Sequence, residues 1–308
     1  MNPNICRLTA TMQTLTEIRR MLEAAGLSPR KVFGQCFLID HNMLGKLIEL
    51  AELPIGQAVL EVGPGTGTLT EELLAGGANV VAAEIDRGLC RLLRERLGDR
   101  AGFSLIEGDV LAGKHCLAPE VLQAVPERVQ LVSNLPYNIA TPILAECLAE
   151  SWRHLKRPAG DWRCFERMTF TVQREVADRL SAPCGSGAYG SVSVMASVMG
   201  VVRQGPVVSP GSFWPRPNIE SRMCRIDFDP ARAGQLENVA VLQQLLQHAF
   251  GQRRKQIRSI CRRKGIAYSP ETLAESMVSA GIDPSRRPER VEPAEFLAFA
   301  NALASSVQ

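Results

Sequence analysis

The segment 133–138 (SNLPYN) combines groups that can hold a flat heterocycle bearing an exocyclic amine. The side-chain oxygen of Asn134 can accept one N–H of such an amine, and the backbone carbonyl of Leu135 can accept a second. The ring of Tyr137 offers a stacking surface. This set predicts the acceptor pocket of an amine methyltransferase. The alternative is a strand-to-helix turn, in which asparagine caps a helix and Pro136 fixes the bend.

A glycine turn precedes this segment in the chain. Gly63, Gly65 and Gly67 follow the short apolar run 58–62 and lead into a helical pattern. Because glycine has no Cβ, the backbone of such a turn can approach a cofactor closely. Similar turns occur in proteins that bind NAD, FAD or S-adenosylmethionine, and a purely structural turn has the same composition. The turn therefore predicts a βαβ nucleotide-binding unit without choosing the cofactor.

Three polar residues each follow a predicted strand. Glu84 ends the second strand and is placed to accept two ribose hydroxyls, Asp109 follows the third, and Asn134 follows the fourth. Parallel strands end at a common edge, where ligands of open α/β sheets bind. We therefore expect Gly63, Glu84, Asp109 and Asn134 to gather at one rim, with Asp109 accepting the N–H of the cofactor's adenine amine.

The sequence predicts two domains, and the residues named above all lie in the first of them. Alternating strand and helix patterns over residues 14–228 predict an α/β domain with a largely parallel sheet. Residues 229–234 are predicted to be a linker. Residues 235–308 are predicted to be wholly helical, with the first helix running from 239 to 260. Residues 1–13 show no periodicity and are predicted to form a disordered extension.

Two segments inside the larger domain are predicted to be irregular. Residues 152–162 are expected to be a loop-like insert, and the Gly/Pro/Ser-rich tract 181–190 is expected to be mobile.

Charge and composition narrow the class of protein. The net charge is only +3, but seven basic residues and no acidic one lie between Phe250 and Lys264, which predicts a local polyanion contact. A solvated helix face is the alternative interpretation of this basic run. Nine scattered cysteines and four histidines show no metal-ligand spacing. Without a signal peptide or a membrane-spanning run, the expected location is the cytoplasm.

The combination of motifs resembles one family along nearly the whole chain. It is similar to the bacterial ribosomal RNA small-subunit adenine dimethyltransferases of the KsgA type. Seven blocks carry the resemblance in the same order, namely 33–38 (FGQCFL), 61–67 (EVGPGTG), 134–138 (NLPYN), 173–177 (QREVA), 189–194 (YGSVSV), 213–217 (FWPRP) and 250–255 (FGQRRK).

The resemblance implies a Rossmann-like S-adenosylmethionine-dependent methyltransferase sheet with a small, all-helical C-terminal domain that binds RNA. It implies that two S-adenosylmethionine molecules are used in succession for each adenine. We also expect the protein to be a monomer and to need no metal. The substrate would be two adjacent adenines near the 3′ end of small-subunit (16S) rRNA within an immature ribosomal subunit. The cofactor-binding residues that carry over, with Gly65 added from the glycine turn, are Cys36, Leu38, Gly63, Gly65, Glu84, Asp109 and Asn134.

Cys36 departs from the family pattern, which usually has asparagine there. If that asparagine acts through its side chain, cofactor affinity should be lower in this chain; if it acts through its backbone, little should change. For the acceptor base, Asn134, Leu135, Tyr137 and Phe213 are expected to be catalytic, with the two aromatic rings clamping the base. For rRNA, the predicted contacts are Arg253, Arg254, Lys255 and Arg258.

Three competing functions share parts of this pattern. The first is an adenine-N6 methyltransferase of another RNA or of DNA. The second is a ribosome-assembly factor that acts mainly by binding. The third is an NAD oxidoreductase, which shares the glycine turn but has no use for the segment 134–137 in hydride transfer.

Overall fold

The structure is a computed structural model that describes residues 13–30, 33–113, 116–263 and 265–306. Its strands carry the β-branched and apolar runs recognised in the sequence. In chain order they are β1 (Phe37–Leu38), β2 (Ala58–Val62), β3 (Asn79–Glu84), β4 (Phe103–Glu107), β5 (Arg128–Asn134), β6 (Cys164–Gln173), β7 (Gly200–Val208), β8 (Phe213–Trp214) and β9 (Ser221–Phe228).

The main sheet of the described residues has seven strands in the order β4-β3-β2-β5-β6-β9-β7. The first five strands in this order, β4, β3, β2, β5 and β6, are parallel to one another. Strand β9 pairs antiparallel with both β6 and β7. Strand order reverses between β2 and β5, and such a switch point opens a crevice at the carboxyl ends of the strands. The predicted α/β fold with a Rossmann-like, largely parallel sheet is confirmed.

Helices cover both faces of the sheet and form the C-terminal region. They are α1 (Leu15–Ala24), α2 (His41–Ala51), α3 (Thr68–Ala75), α4 (Arg87–Leu97), α5 (Pro119–Ala124), α6 (Ala140–Lys156), α7 (Arg174–Leu180), α8 (Ser191–Met199), α9 (Pro230–Ala233), α10 (Val239–Phe250), α11 (Pro270–Ser279) and α12 (Pro293–Ser305). The sequence patterns did not reveal α5.

The predicted helix 239–260 is wrong in its second half. Helix α10 ends at Phe250, and after a turn the chain forms a 3-10 segment, Ile257–Arg262. The backbone N–H of Ile257 donates to the Arg286 carbonyl and that of Arg258 donates to the Pro284 carbonyl. These tertiary hydrogen bonds replace the i→i−4 bonds that a continuous helix would make. The basic run therefore lies on a turn and a 3-10 segment.

The predicted insert 152–162 is also partly wrong, because α6 continues to Lys156. The buried indole N–H of Trp152 donates to the Leu236 carbonyl at 3.1 Å. This side chain thus joins α6 to the segment before α10, which explains why the helix extends past Ser151.

The tract 181–190 and the predicted linker both have defined structure. The hydroxyl of Tyr189, a buried residue, donates to the Val291 carbonyl at 2.9 Å, and the Gly185 N–H donates to the Glu289 carbonyl. The tract expected to be mobile is therefore tied to the C-terminal helical region. The linker contains α9, whose first turn is capped by the Asp229 carboxylate.

The N-terminal boundary falls close to the predicted one. Thr14 and Glu17 form a capping box at the start of α1. Gln13 lies in the predicted disordered extension, yet it is buried and its amide N–H donates to the Thr66 carbonyl at 3.2 Å. The remainder of the predicted extension, residues 1–12, lies outside the described residues.

Candidate active site

A cavity opens at the carboxyl ends of the parallel strands, where the switch point predicts one. It encloses about 1100 Å³ of space, counted with the open solvent at its mouth. The structure brings Gly63, Glu84, Asp109 and Asn134 together in its wall, as expected from their positions after four strands. Cys36, Leu38, Leu135 and Tyr137 also line it.

The glycine turn between β2 and α3 forms the floor of the cavity. Gly63, Gly65 and Gly67 all have positive φ, at 68°, 62° and 87°. A Cβ on Gly65 would lie 2.7 Å from the ring of Phe37, so glycine is required here by space as well as by backbone conformation. Gly65 thus packs directly against Phe37, and the glycine turn presents backbone without side chains to the cavity at Gly63 and Gly65.

Glu84 ends β3 and is nearly fully buried. One carboxylate oxygen accepts the Asp86 N–H at 2.9 Å, and the other accepts the Gly65 N–H at 3.3 Å. Burial raises the pKa of Glu84 to about 7, against the lowering effect of these backbone donors. The carboxylate is thereby fixed at the rim with lone pairs available for hydroxyl donors.

A second buried carboxyl lies beneath the same turn. Glu61, on β2, accepts a hydrogen bond from the Thr70 hydroxyl at 2.7 Å. Burial raises the pKa of Glu61 to about 8. This group is therefore mostly protonated at neutral pH and adds little negative charge to the cavity.

Asp109 lies at the exposed side of the cavity. One of its oxygens accepts the Leu111 N–H at 3.0 Å, which fixes the carboxylate in a local turn. Two apolar wall residues that the sequence reasoning missed, Ile85 and Val110, directly follow Glu84 and Asp109. The sequence contained a signal for both, because an apolar residue directly after an acid that binds the cofactor can pack against the cofactor's apolar surface.

The Asn134 side chain is held by the loop before β1. Its Nδ2 donates to the Cys36 carbonyl at 2.8 Å. Its Oδ1 is buried and has no hydrogen-bond partner among the described residues. A buried, unpartnered amide oxygen beside a cavity is costly unless a ligand completes it. The alternative role as a helix cap is excluded, since the N-cap of α6 is Ile139.

The same contact involves the backbone of Cys36. The residue contributes its backbone carbonyl to Asn134, and any residue type supplies that group. Burial raises the pKa of the Cys36 thiol, so the side chain stays a neutral, partly buried wall group. Whether this position contacts the cofactor through its side chain or its backbone stays a prediction.

The two predicted aromatic residues occupy different places. Tyr137 lines the cavity and its hydroxyl is 2.7 Å from the Ser221 hydroxyl. Phe213 is not among the described residues that line the cavity: it is 2% exposed, pairs with Leu38 across the β1–β8 ladder, and packs in a buried cluster with Leu44. In this conformation Phe213 packs behind the residues that line the cavity, and neither face of its ring is free to stack on a base. The predicted clamp, with Tyr137 on one side of the base and Phe213 on the other, is therefore not formed.

Comparison with known proteins decides the family. Residues 26–305 match the family described as ribosomal RNA adenine dimethylase. The chain belongs to this family. It is 39% identical over 292 residues to "Ribosomal RNA small subunit methyltransferase A" of Phenylobacterium zucineum, covering 95% of this chain and 94% of the relative. A protein of the same name from a Synechococcus strain is 37% identical over 279 residues, covering 89% and 93%.

Solved structures agree with this assignment. The 23S rRNA methyltransferase ErmE is 26% identical, with a TM-score of 0.56 over 87% of this chain and 99% of that one. A dimethyladenosine transferase from Plasmodium falciparum has a TM-score of 0.61 at 20% identity, covering 84% and 94%, and supports the fold. This ribosomal RNA adenine dimethylase is thus an S-adenosylmethionine-dependent methyltransferase, and the bare glycine turn, Glu84 and Asn134 fit that cofactor.

The described residues of the basic run belong to the C-terminal helical region, and none of them lines the cavity. Arg253, Arg254, Lys255 and Arg258 are all exposed. Arg253 donates to the Gly187 carbonyl at 2.9 Å, so part of its hydrogen-bonding capacity serves the tract 181–190. Lys264, the last residue of the run, lies outside the described residues.

In the part of the chain that the structure describes, no cluster of three or more His, Cys, Asp or Glu residues is arranged to bind a metal ion. No described helix is both long and apolar enough to cross a membrane.

Proposed function

We propose that the chain methylates N6 of two adjacent adenines in a loop near the 3′ end of 16S rRNA within an immature small subunit. Each adenine would use two S-adenosylmethionine molecules in succession, and the monomeric enzyme would act in the cytoplasm during small-subunit biogenesis. The substrate assignment is supported by the two relatives named small subunit methyltransferase A. The observation that carries the proposal is the buried Oδ1 of Asn134, which has no partner among the described residues.

Cofactor and base would occupy adjoining parts of the cavity. S-adenosylmethionine supplies, when bound, an electrophilic methyl group on a sulfonium centre. Glu84 would accept the ribose hydroxyls, and Asp109 would accept an N–H of the cofactor's adenine through the oxygen that does not bond to Leu111. Gly63 and Gly65 would let the cofactor lie against backbone, and Cys36 and Leu38 would form the opposite wall.

Asn134 and Leu135 would orient the acceptor nitrogen. The lone pair of adenine N6 is delocalised into the ring, so the amine is a weak nucleophile. If Asn134 Oδ1 and the Leu135 carbonyl accept its two N–H groups, the nitrogen becomes more tetrahedral and its lone pair points at the methyl carbon. Holding reactants in such a near-attack arrangement can supply roughly 7–11 kcal/mol of the barrier.

No side chain in the cavity is needed as a strong base. Burial raises the pKa of the Tyr137 hydroxyl to about 12, and this hydroxyl is already paired with Ser221. The Glu61 carboxyl is engaged by Thr70. The amine proton can leave after the methyl group has been transferred, because the methylated nitrogen is then cationic and acidic.

The target base must leave its stack to reach Asn134. Unstacking costs least in a single-stranded loop, which is where proteins commonly read RNA bases. The face of Tyr137 would receive the extruded adenine, with stacking worth about 1–3 kcal/mol. The exposed Arg254, Lys255 and Arg258, with Arg253, would contact the rRNA backbone.

The decisive experiment removes the amide of Asn134. We expect Asn134→Ala to lower methyl transfer to small subunits from cells lacking the gene by about 10²-fold or more. Its circular dichroism and its affinity for the subunits should stay near wild type. Near-normal turnover would refute the hydrogen-bonding role.

The same assay separates the alternatives. Methylation of naked rRNA or DNA in preference to immature subunits would point to another substrate. Restoration of subunit assembly by the inactive Asn134→Ala protein would favour a factor that acts mainly by binding. Mapping dimethyladenosine in 16S rRNA with and without the gene tests the target itself.

A further inference from the structure

The ring of Tyr137 is fixed at both ends. On the backbone side, the N–H of Leu135, two residues before Tyr137, donates to the Thr171 carbonyl at 3.2 Å, which ties the segment to β6. At the far end, the hydroxyl lies 2.7 Å from Ser221 Oγ. Ser221 begins β9 and is fully buried, so its hydroxyl is not a mobile surface group. The direction of the ring axis, from Cβ to the hydroxyl, is therefore fixed by a residue 84 positions away.

The hydroxyl of Tyr137 is not needed for stacking, because a phenylalanine ring offers the same face. It is also poorly suited to acid–base work, since burial keeps the phenol protonated at neutral pH. What remains for this hydroxyl is the contact with Ser221. A hydrogen bond that fixes a ring in the wall of a reaction cavity controls the angle at which a stacked base is presented.

We propose that Ser221 is a positioning residue that fixes the direction of the Tyr137 ring axis and thereby favours the second methyl transfer to each adenine. The inference rests on the proposed function. The unmethylated amine has two N–H groups for Asn134 Oδ1 and the Leu135 carbonyl, whereas the monomethylated amine has one. The second transfer therefore loses one orienting hydrogen bond and depends more on stacking against Tyr137.

Paired variants test the contact. Ser221→Ala and Tyr137→Phe each remove one hydroxyl of the same hydrogen bond and keep the aromatic face. For both, we expect the rate of the second transfer to fall about fivefold to tenfold, with a smaller effect on the first, so that monomethyladenosine accumulates. Because the two changes remove one interaction, the double variant should resemble either single variant. S-adenosylmethionine affinity should not change, and Ser221→Thr should restore the dimethyl product.

A matched control separates positioning from stability. Ser151 is also a fully buried, hydrogen-bonded serine, but its hydroxyl donates to the Cys147 carbonyl in α6. Ser151→Ala should lower the melting temperature without changing the ratio of monomethyl to dimethyl product. An unchanged ratio in folded Ser221→Ala, or additive effects in the double variant, would overturn the proposal. Absence of dimethyladenosine from the wild-type reaction would instead refute the proposed function.

Discussion

The Cys36 carbonyl accepts a hydrogen bond from Asn134 Nδ2 at 2.8 Å, across 98 positions of sequence. This contact orients the amide of Asn134, because with Nδ2 engaged the Oδ1 faces the side without a described partner. One loop thus prepares the acceptor that the proposed chemistry needs before any ligand arrives.

Replacing the Cys36 side chain should have little effect. In Cys36→Ala and Cys36→Asn the backbone carbonyl remains, so we expect S-adenosylmethionine affinity and turnover to stay within about threefold of wild type, which is less than the usual worth of one hydrogen bond. Isothermal titration calorimetry and a methyl-transfer assay provide the measurements. A tenfold gain in affinity for Cys36→Asn would show that the side chain, rather than the backbone, contacts the cofactor.

Cofactor affinity should depend on pH through Glu84. Its pKa is raised to about 7 by burial, and the deprotonated form is the one that can accept two hydroxyls. Binding below that pKa must displace a proton, so the dissociation constant of S-adenosylmethionine should rise as pH falls, by up to about tenfold per pH unit below 7. Affinity should level off above the pKa.

Glu84→Gln is the control for this pH profile. It should bind the cofactor more weakly and lack the Glu84 contribution, while any titration of the cofactor's own amine would remain. A wild-type profile parallel to that of Glu84→Gln would contradict the assignment.

Gly65 should not tolerate a side chain. In Gly65→Ala the new Cβ would meet the Phe37 ring at 2.7 Å, in a backbone conformation that itself costs alanine about 1–2 kcal/mol. We expect lower stability toward urea and at least about a tenfold loss of S-adenosylmethionine affinity, as the turn or Phe37 shifts.

Gly56→Ala is a matched control for this substitution. Gly56 also has a positive φ, of 80°, but a Cβ there would have nothing within 4 Å. Gly56→Ala should be destabilised by the backbone strain about as much as Gly65→Ala is, but it should keep the wild-type affinity for S-adenosylmethionine. If the two variants bind the cofactor equally well, the packing of Gly65 against Phe37 does not matter for cofactor binding.

Charge reversal in the basic run should weaken RNA binding selectively. Arg254→Glu with Lys255→Glu should lower affinity for small subunits and flatten its salt dependence, because fewer counterions are released. S-adenosylmethionine affinity should be unaffected. Filter binding over a range of salt concentrations measures both effects.

The control for the basic run reverses two exposed arginines of the methyltransferase domain, Arg91 and Arg100, which changes the net charge equally. Its salt dependence should match that of wild type. An equal loss in this control would mean that the effect reflects overall charge and not a local RNA surface.

Much of the sheet and of its rim was predictable from the sequence. The run 58–62 and the helix 87–97 have the predicted bounds, because buried strands and amphipathic helices leave strong periodic signals. The four rim residues follow from strand ends alone, since parallel strands bring their carboxyl ends to one edge.

The remaining features depend on contacts between distant parts of the chain. The two-residue strands β1 and β8 are too short for any periodic pattern, and the Cys36–Asn134 hydrogen bond requires the folded sheet. Helix α10 ends at Phe250, and beyond it Ile257 and Arg258 bond to the carbonyls of residues 286 and 284, which local propensity does not encode. Phe213 faces the core because its pairing with Leu38 sets its direction.

The β1–β8 ladder limits where residues can be inserted into this chain. Phe37 pairs with Trp214, and Leu38 pairs with Phe213. Among the described residues, only these two residue pairs fix the register between one wall of the cofactor cavity and the segment that follows β7. Insertion of a single residue within either pair would exchange the inward and outward side chains of that wall. Changes of loop length in relatives should therefore fall outside these four positions, and grafting one loop without the other should misplace both.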